Sequence, residues 1–294
     1  MNICLRLVLC LLGAIASGAA TADQRLPVWA IEGHRNTVYL VGSIHLLREQ
    51  DYPLPAGIEA AYDDAETLVM ELDMDDLDDV ELQTLVAELG MAGVGSSLSQ
   101  MMGAELYERA EAGAAHLNIP LNMLAAMEPW LAAITVEQLM LQRLGFDPGF
   151  GIEAHFARKA GADAKEILGL EDIEEQLGFL DSLSLDAQRL LLLQTLDEAG
   201  DLQVVMDSII DAWRNGDVGF LEEQTLADMQ AYPELYDTVV VNRNRNWSKR
   251  IADMLDDDDD YLVIVGTLHL IGSEGVPVLL DAMGYPVKQM QQPD

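Results

Sequence analysis

The chain has 294 residues, half of them hydrophobic, and a formal net charge of -35 at neutral pH. A surface this acidic repels phosphate backbones and anionic lipid headgroups, which excludes nucleic acid as a partner and argues against membrane-surface attachment. Both cysteines, Cys4 and Cys10, fall within the first ten residues, leaving neither a disulfide framework nor cysteine catalysis to the rest of the chain.

Residues 1–22 read as a secretory signal peptide. Arg6 precedes an apolar run from Leu7 to Ile15, and Ala20-Thr21-Ala22 fits an A-x-A cleavage site. The run is too short to span a bilayer, and no later segment is apolar for long enough. The expectation is an exported protein, periplasmic or secreted, with no stable membrane insertion after cleavage. The remaining residues, 23–294, suffice for one large domain.

A β-hairpin opens this portion, with strands Pro27–Glu32 and Thr37–Val41 about a turn at Gly33–Asn36. A helix over Ala56–Asp64 and a buried strand over Thr67–Leu72 follow. Apolar residues at three- and four-residue spacing predict helices over Glu81–Leu89, Gly103–Leu117 and Pro129–Gln142. A helix from Ile152 to Ala160 is expected to stop at Gly161, before a strand over Ala164–Leu170. Further helices are predicted over Glu171–Leu180, Ser184–Glu198, Asp201–Asn215, Gly219–Met229 and Pro233–Leu255. The apolar strand Tyr261–Val265, a helix over Gly275–Met283 and an edge strand over Tyr285–Met290 close the chain. Strand and helix alternate at both ends, so the expected fold is α/β: a mixed β-sheet core built from the N- and C-terminal segments with a large helical insertion. The acidic runs Asp73–Asp79 and Asp256–Asp260 lack the glycine and terminal glutamate of a calcium loop and read as solvated surface.

Two segments match each other. Val38-Tyr39-Leu40-Val41 leads to Gly42-Ser43-Ile44-His45, and Leu262-Val263-Ile264-Val265 leads to Gly266-Thr267-Leu268-His269. A glycine there lets the backbone leave the sheet or approach a ligand closely. Each histidine then sits near the carboxyl end of a buried strand, where open α/β sheets place their ligands. Glu71 also ends an apolar strand, where a carboxylate is costly unless paired. Two imidazoles and a carboxylate can hold a divalent metal with positions open for water and substrate. Glu71 could instead act as general base. One such glycine–histidine turn is weak evidence, since a satisfied structural histidine is common. Two matched copies carry more.

The chain resembles the TraB/GumN (also PrgY) family, to which the Tiki metalloproteases are related. The resemblance runs from about Trp29 to Val287 through Gly42-Ser43-Ile44-His45, Leu54-Pro55, Val69–Asp73, Glu128-Pro129-Trp130, Gly151-Ile152-Glu153, Leu170-Glu171 with Gln176, Trp213 with Gly216-Asp217, Arg243-Asn244 with Trp247, and Gly266–Leu270 with Gly272. Ser43 stands where threonine is frequent. The resemblance implies a metal-dependent hydrolase acting on peptides, with His45, His269 and Glu71 as metal ligands and Arg243 and Asn244 beside them, binding substrate or stabilising an oxyanion. The implied cofactor is a divalent ion such as manganese, cobalt or zinc, and the partner a peptide or small-molecule substrate. The alternative is a non-catalytic binding protein holding haem iron, a peptide pheromone or a polysaccharide precursor.

Glu153 is expected to reach the site, whereas His155, two residues on, faces elsewhere and reads as structural. Glu171 ends a strand as Glu71 does and reads either as a supporting acid beside the site or as a cap of the helix that follows, the cap being favoured. His34 and His116 read as solvent-facing, and Arg243 and Arg245 could simply pair with acidic neighbours. No Walker loop, G-x-S-x-G elbow or H-E-x-x-H helix occurs.

Overall fold

Strand Tyr261–Gly266 is buried at every residue because it lies inside a six-stranded sheet covered on both faces. This is a computed structural model that describes residues 25–75, 79–230 and 232–291; the expected signal peptide over 1–22 lies outside the described residues. The strands are β1 (Arg25–Glu32), β2 (Thr37–Ser43), β3 (Thr67–Leu72), β4 (Glu166–Glu171), β5 (Tyr261–Gly266) and β6 (Val287–Gln291), in the order β4-β3-β5-β2-β1-β6. The four strands β4, β3, β5 and β2 are parallel, and β1 and β6 add antiparallel pairings at one edge. The carboxyl ends of β2, β3, β4 and β5 therefore share one rim, which is where an open α/β sheet offers its ligand crevice.

Alternation along β5 supplies both faces. Leu262 and Ile264 enter a core with Ile58, Tyr62, Phe156 and Trp213. Val263 and Val265 enter the opposite core with Trp247, Ile251, Val276 and Leu280. Burying each such side chain is worth about 1.5–3 kcal/mol, which explains why a doubly covered strand reads as an unbroken apolar run. A third cluster sits apart, among the helices Leu98–Met102, Ala104–His116, Pro129–Arg143 and Leu185–Glu198.

The α/β expectation holds, with β3 and the helix Ala56–Asp64 falling where the sequence places them. The structure differs locally in three places. The helix from Ile152 does not stop at Gly161 but runs to Asp163, and Ala164 closes it in the left-handed region at φ 56°. A mid-helix glycine costs only about 1 kcal/mol relative to alanine, too little to end an amphipathic helix that buries Phe156. The helices predicted over Gly219–Met229 and Pro233–Leu255 are each broken by a π turn, Glu222–Leu226 and Asp237–Val241. Such turns often lie at functional sites, and the second runs directly into the helix Asn242–Met254.

Candidate active site

Glycine geometry brings the two G-x-x-H loops together. Ser43 pairs with Gly266 in the parallel β2–β5 register. The Thr267 hydroxyl donates to the Ser43 carbonyl at 2.8 Å, and a Cβ on Gly42 would meet that hydroxyl oxygen at 2.9 Å. The Trp213 indole N–H donates to the Gly42 carbonyl at 2.6 Å, fixing the departure of the first loop from the other side. Farther along, Gly151 lies so close to the His45 carbonyl that any Cβ there would collide with it. Gly151 thus lets the helix Ile152–Asp163 start directly beside His45, and this delivers Glu153.

His45 Nδ1 stands 2.8 Å from Glu153 Oε1, and the Ser43 hydroxyl donates to the same oxygen. The carboxylate of Glu153 pushes the His45 imidazole well above its ordinary range, although the ring keeps 57% of its side-chain surface in solvent. With Nδ1 engaged, Nε2 faces the space over Gly266. A point one Cβ above Gly266 lies 3.2 Å from Glu71 Oε1, 3.4 Å from His45 Nε2 and 3.6 Å from His269 Cδ2. The two histidines and the acid singled out in the sequence therefore converge on one spot at the carboxyl rim.

His269 is the buried member. Its Nε2 lies 3.2 Å from Arg243 Nη1 and its Nδ1 lies 2.6 Å from Asn244 Oδ1. A guanidinium only donates, so Nε2 accepts and the ring proton sits on Nδ1, donating to Asn244. The Asn244 amide in turn donates to the Glu274 carbonyl at 2.8 Å. Burial first, and then the neighbouring Arg243, lower the imidazole to about 3, so His269 is neutral at neutral pH. The Trp247 ring lies 4.5 Å from it, centroid to centroid.

Arg243 ties the two strand-end acids together. It donates to Glu71 Oε2 at 2.6 Å and to both oxygens of Glu171, at 2.5 and 3.1 Å. Gln176 donates to both carboxylates at 3.2 Å, and the Gly266 N–H donates to Glu71 Oε1 at 2.7 Å. Burial works to raise Glu71, but the surrounding positive groups and the Gly266 N–H overcome it and hold the carboxyl at about 2. Since His269 is neutral, the working counter-charges are Arg243 and the charged His45. Glu171 goes the other way: burial raises it despite Arg243, and the nearby Glu71 adds to the rise. The expectation that Glu171 caps the next helix fails, because Asp172 takes that role with its side chain accepting from the Glu175 N–H. Glu171 is instead drawn inward by the arginine. A cleft of about 270 Å³ opens over the group, lined by His45, Glu71, Glu153 and Gln176 with Met70 and Met74.

The donor set fits a divalent ion in kind. Both imidazoles have Nδ1 against an oxygen acceptor, as metal-binding histidines usually do; His45 turns Nε2 to the shared point, whereas His269 presents Cδ2 to it. As placed, however, no group of three His, Cys, Asp or Glu side chains among the described residues stands in ligating geometry, and the His269 Nε2 lone pair is directed at Arg243.

The sequence profile of the TraB/PrgY/gumN family matches residues 27–289. The chain belongs to this family. Similar proteins include YbaP of Shigella flexneri and of Escherichia coli K12, each described as uncharacterized and 24% identical over 85% of this chain and 89% of the relative. An uncharacterized protein of Treponema pallidum is 27% identical over 58% of this chain and 51% of its own length. No solved structure matches significantly.

Other residues fall where the sequence put them. His155 turns away to Glu59 at 2.8 Å, and His34 and His116 are exposed. Arg245 pairs with Glu274 on the surface at 3.2 Å, whereas Arg243 is buried. Of the two readings of Glu171, the structure bears out the supporting acid rather than the favoured cap; its signal is that Leu168-Gly169-Leu170-Glu171 ends a strand in an acid just as Val69-Met70-Glu71 does.

Proposed function

We propose that this family member is an exported, metal-dependent hydrolase acting on peptides. The supporting observation is the convergence of His45 Nε2, Glu71 Oε1 and the His269 ring over Gly266, with each imidazole anchored through Nδ1. His45, His269 and Glu71 would hold the ion, which when bound supplies an activated water and polarises the scissile carbonyl. The Glu71 carboxyl is held at about 2 and receives the Gly266 N–H on one oxygen, so it presents an ionised, fixed acceptor toward the cleft at neutral pH. Arg243, seated between Glu71 and His269, offers positive charge where a substrate oxyanion would develop. Asn244 holds the His269 tautomer, which keeps Nε2 unprotonated. Glu153 orients the His45 ring through Nδ1 and favours its charged form, so an ion taking Nε2 would have to displace the proton there. Export rests on the signal peptide read from residues 1–22.

The test compares the purified chain with His45→Ala, His269→Ala and Glu71→Gln for bound manganese, cobalt or zinc and for turnover of a peptide library. Loss of both metal content and hydrolysis in the variants supports the reading. Unchanged metal content and turnover in all three would sink it. Mass measurement of the protein from the extracytoplasmic fraction should give a new N-terminus near residue 23. A second reading, a binding protein without turnover, is favoured by one observation: the Arg243 guanidinium already occupies the His269 lone pair. A ligand recovered intact after long incubation with metal would select it.

A further inference from the structure

Gln176 rides on the helix Ile173–Asp181, whose start is closed by a reciprocal cap. Asp172 accepts from the Glu175 N–H at 2.8 Å, and Glu175 accepts from the Asp172 N–H at 3.1 Å. One residue on, the Gln176 carboxamide nitrogen donates to Glu71 Oε2 and to Glu171 Oε1, each at 3.2 Å. An amide nitrogen carries two hydrogens, so both are engaged. The opposite rotation would set the amide oxygen against two carboxylates, which Arg243 already holds in place. The hydrogen-bond network therefore assigns the amide one orientation.

That orientation leaves Oε1, with two lone pairs, at the other end of the group. Among the described residues no donor reaches it. Gln176 is half-buried and lines the cleft of about 270 Å³ beside His45, Glu71 and Glu153. The two acids there are engaged already. Glu71 receives the Gly266 N–H on one oxygen and Arg243 and Gln176 on the other. Glu153 is held by His45 and Ser43. The opposite wall is apolar, with Met70, Leu72, Met74, Pro148 and Ala154. Gln176 Oε1 is therefore a fixed, uncharged acceptor beside the His45–Glu71 pair. An uncharged acceptor beside apolar side chains suits an uncharged donor, and the backbone N–H of an extended peptide is one.

We propose that Gln176 positions the substrate, accepting one backbone N–H of a bound peptide on Oε1. The proposal deepens the peptide-hydrolase reading and rests on it for the class of ligand. Its test removes the donor from the peptide and the acceptor from the protein in turn. The tightest-bound member of a fluorescein-labelled tetrapeptide amide library is resynthesised with each backbone N–H replaced in turn by an ester oxygen. Affinity for the full chain is read as Kd, or as kcat/KM for a peptide that is turned over. One ester should bind about five-fold more weakly than its amide parent. In Gln176→Met that ratio should fall to about one, whatever the absolute affinity. Gln176→Lys should do the same, since an ammonium can still donate to Glu71 and Glu171 but offers no acceptor. In the unaltered chain the Gln176 13Cδ signal should move with the amide peptide and stay with that ester, which tests the contact even if a variant fails to fold.

A glutamine that only braces the two acids would weaken amide and ester alike and keep the five-fold ratio in both variants, and that result overturns the proposal. So would an unaltered chain in which no ester differs from its amide, or a 13Cδ signal that ignores the peptide. A library with no bound member overturns it together with the peptide reading. A ratio that collapses in the variants without any hydrolysis would leave Gln176 in its role while the hydrolase reading fails. Hydrolysis with the ratio unchanged in the variants would do the reverse.

Discussion

His45 and His269 leave adjacent parallel strands through the same four-residue pattern, yet they meet opposite surroundings. His45 keeps more than half its ring in solvent beside an ionised glutamate, which favours the charged imidazole. His269 is sealed under Trp247 with an arginine against one nitrogen and a neutral amide against the other, which favours the uncharged form. A shared motif fixes where a side chain leaves the sheet. The elements that close over it fix its charge. Here the first loop is met by a helix N-terminus carrying Glu153, and the second by a helix carrying Arg243 and Asn244.

The comparison can be broken most forcefully on the buried side. Arg243→Met removes the cation between Glu71 and Glu171, and leaving those acids uncompensated should cost about 3–5 kcal/mol in urea unfolding. A loss below about 1 kcal/mol would show that the pair is not held as described. Acid should come next. Unfolded His269 takes up a proton near 6.5 and the folded ring only near 3, so between those values the unfolded chain holds more protons. Stability should therefore fall as pH drops through that window, with Glu71 adding to the fall from 4.5 toward 2. In His269→Gln the upper part of the window should flatten. That variant should itself lose about 1–3 kcal/mol, by disturbing the contacts to Asn244 and Arg243.

His45→Ala should separate stability from chemistry. Its exposed pair contributes under about 1 kcal/mol, but peptide turnover should fall by about 100-fold or more. If His45→Ala destabilises the fold as much as His269→Gln does, the contrast between the loops collapses. The smallest effect belongs to Ser43→Ala. Glu153 keeps its histidine, so melting should show a loss of about 0.5–1 kcal/mol.

Much of this was legible in residues 37–72 and 261–270. Strands buried on both faces announce themselves as apolar runs, and the glycine–histidine turns follow them directly. Glu71 was readable because an acid at the end of such a strand demands a partner. The partner's identity was not, since Arg243 arrives from a helix far along the chain and local pattern carries no record of which acid it meets. Glu171 was misread for the same reason: next to a helix start it looks like a cap, and Asp172 one residue later fills that position better. The π turns escaped because their residues have ordinary helical periodicity. The register that sets Ser43 opposite Gly266 arises only from strand pairing.

Among the described residues β5 is the only strand joining β3 to β2, and it lies almost last in the chain. Until residues 261–266 are in place, β4-β3 and the β2-β1 hairpin are separate ribbons with open inner edges, and open edges invite pairing with the wrong chain. Insertion of β5 joins the ribbons, supplies the amide that Glu71 needs and swings His269 onto the rim. The rim is thus completed by pairings between segments distant in sequence, the kind of contact that goes with slower folding.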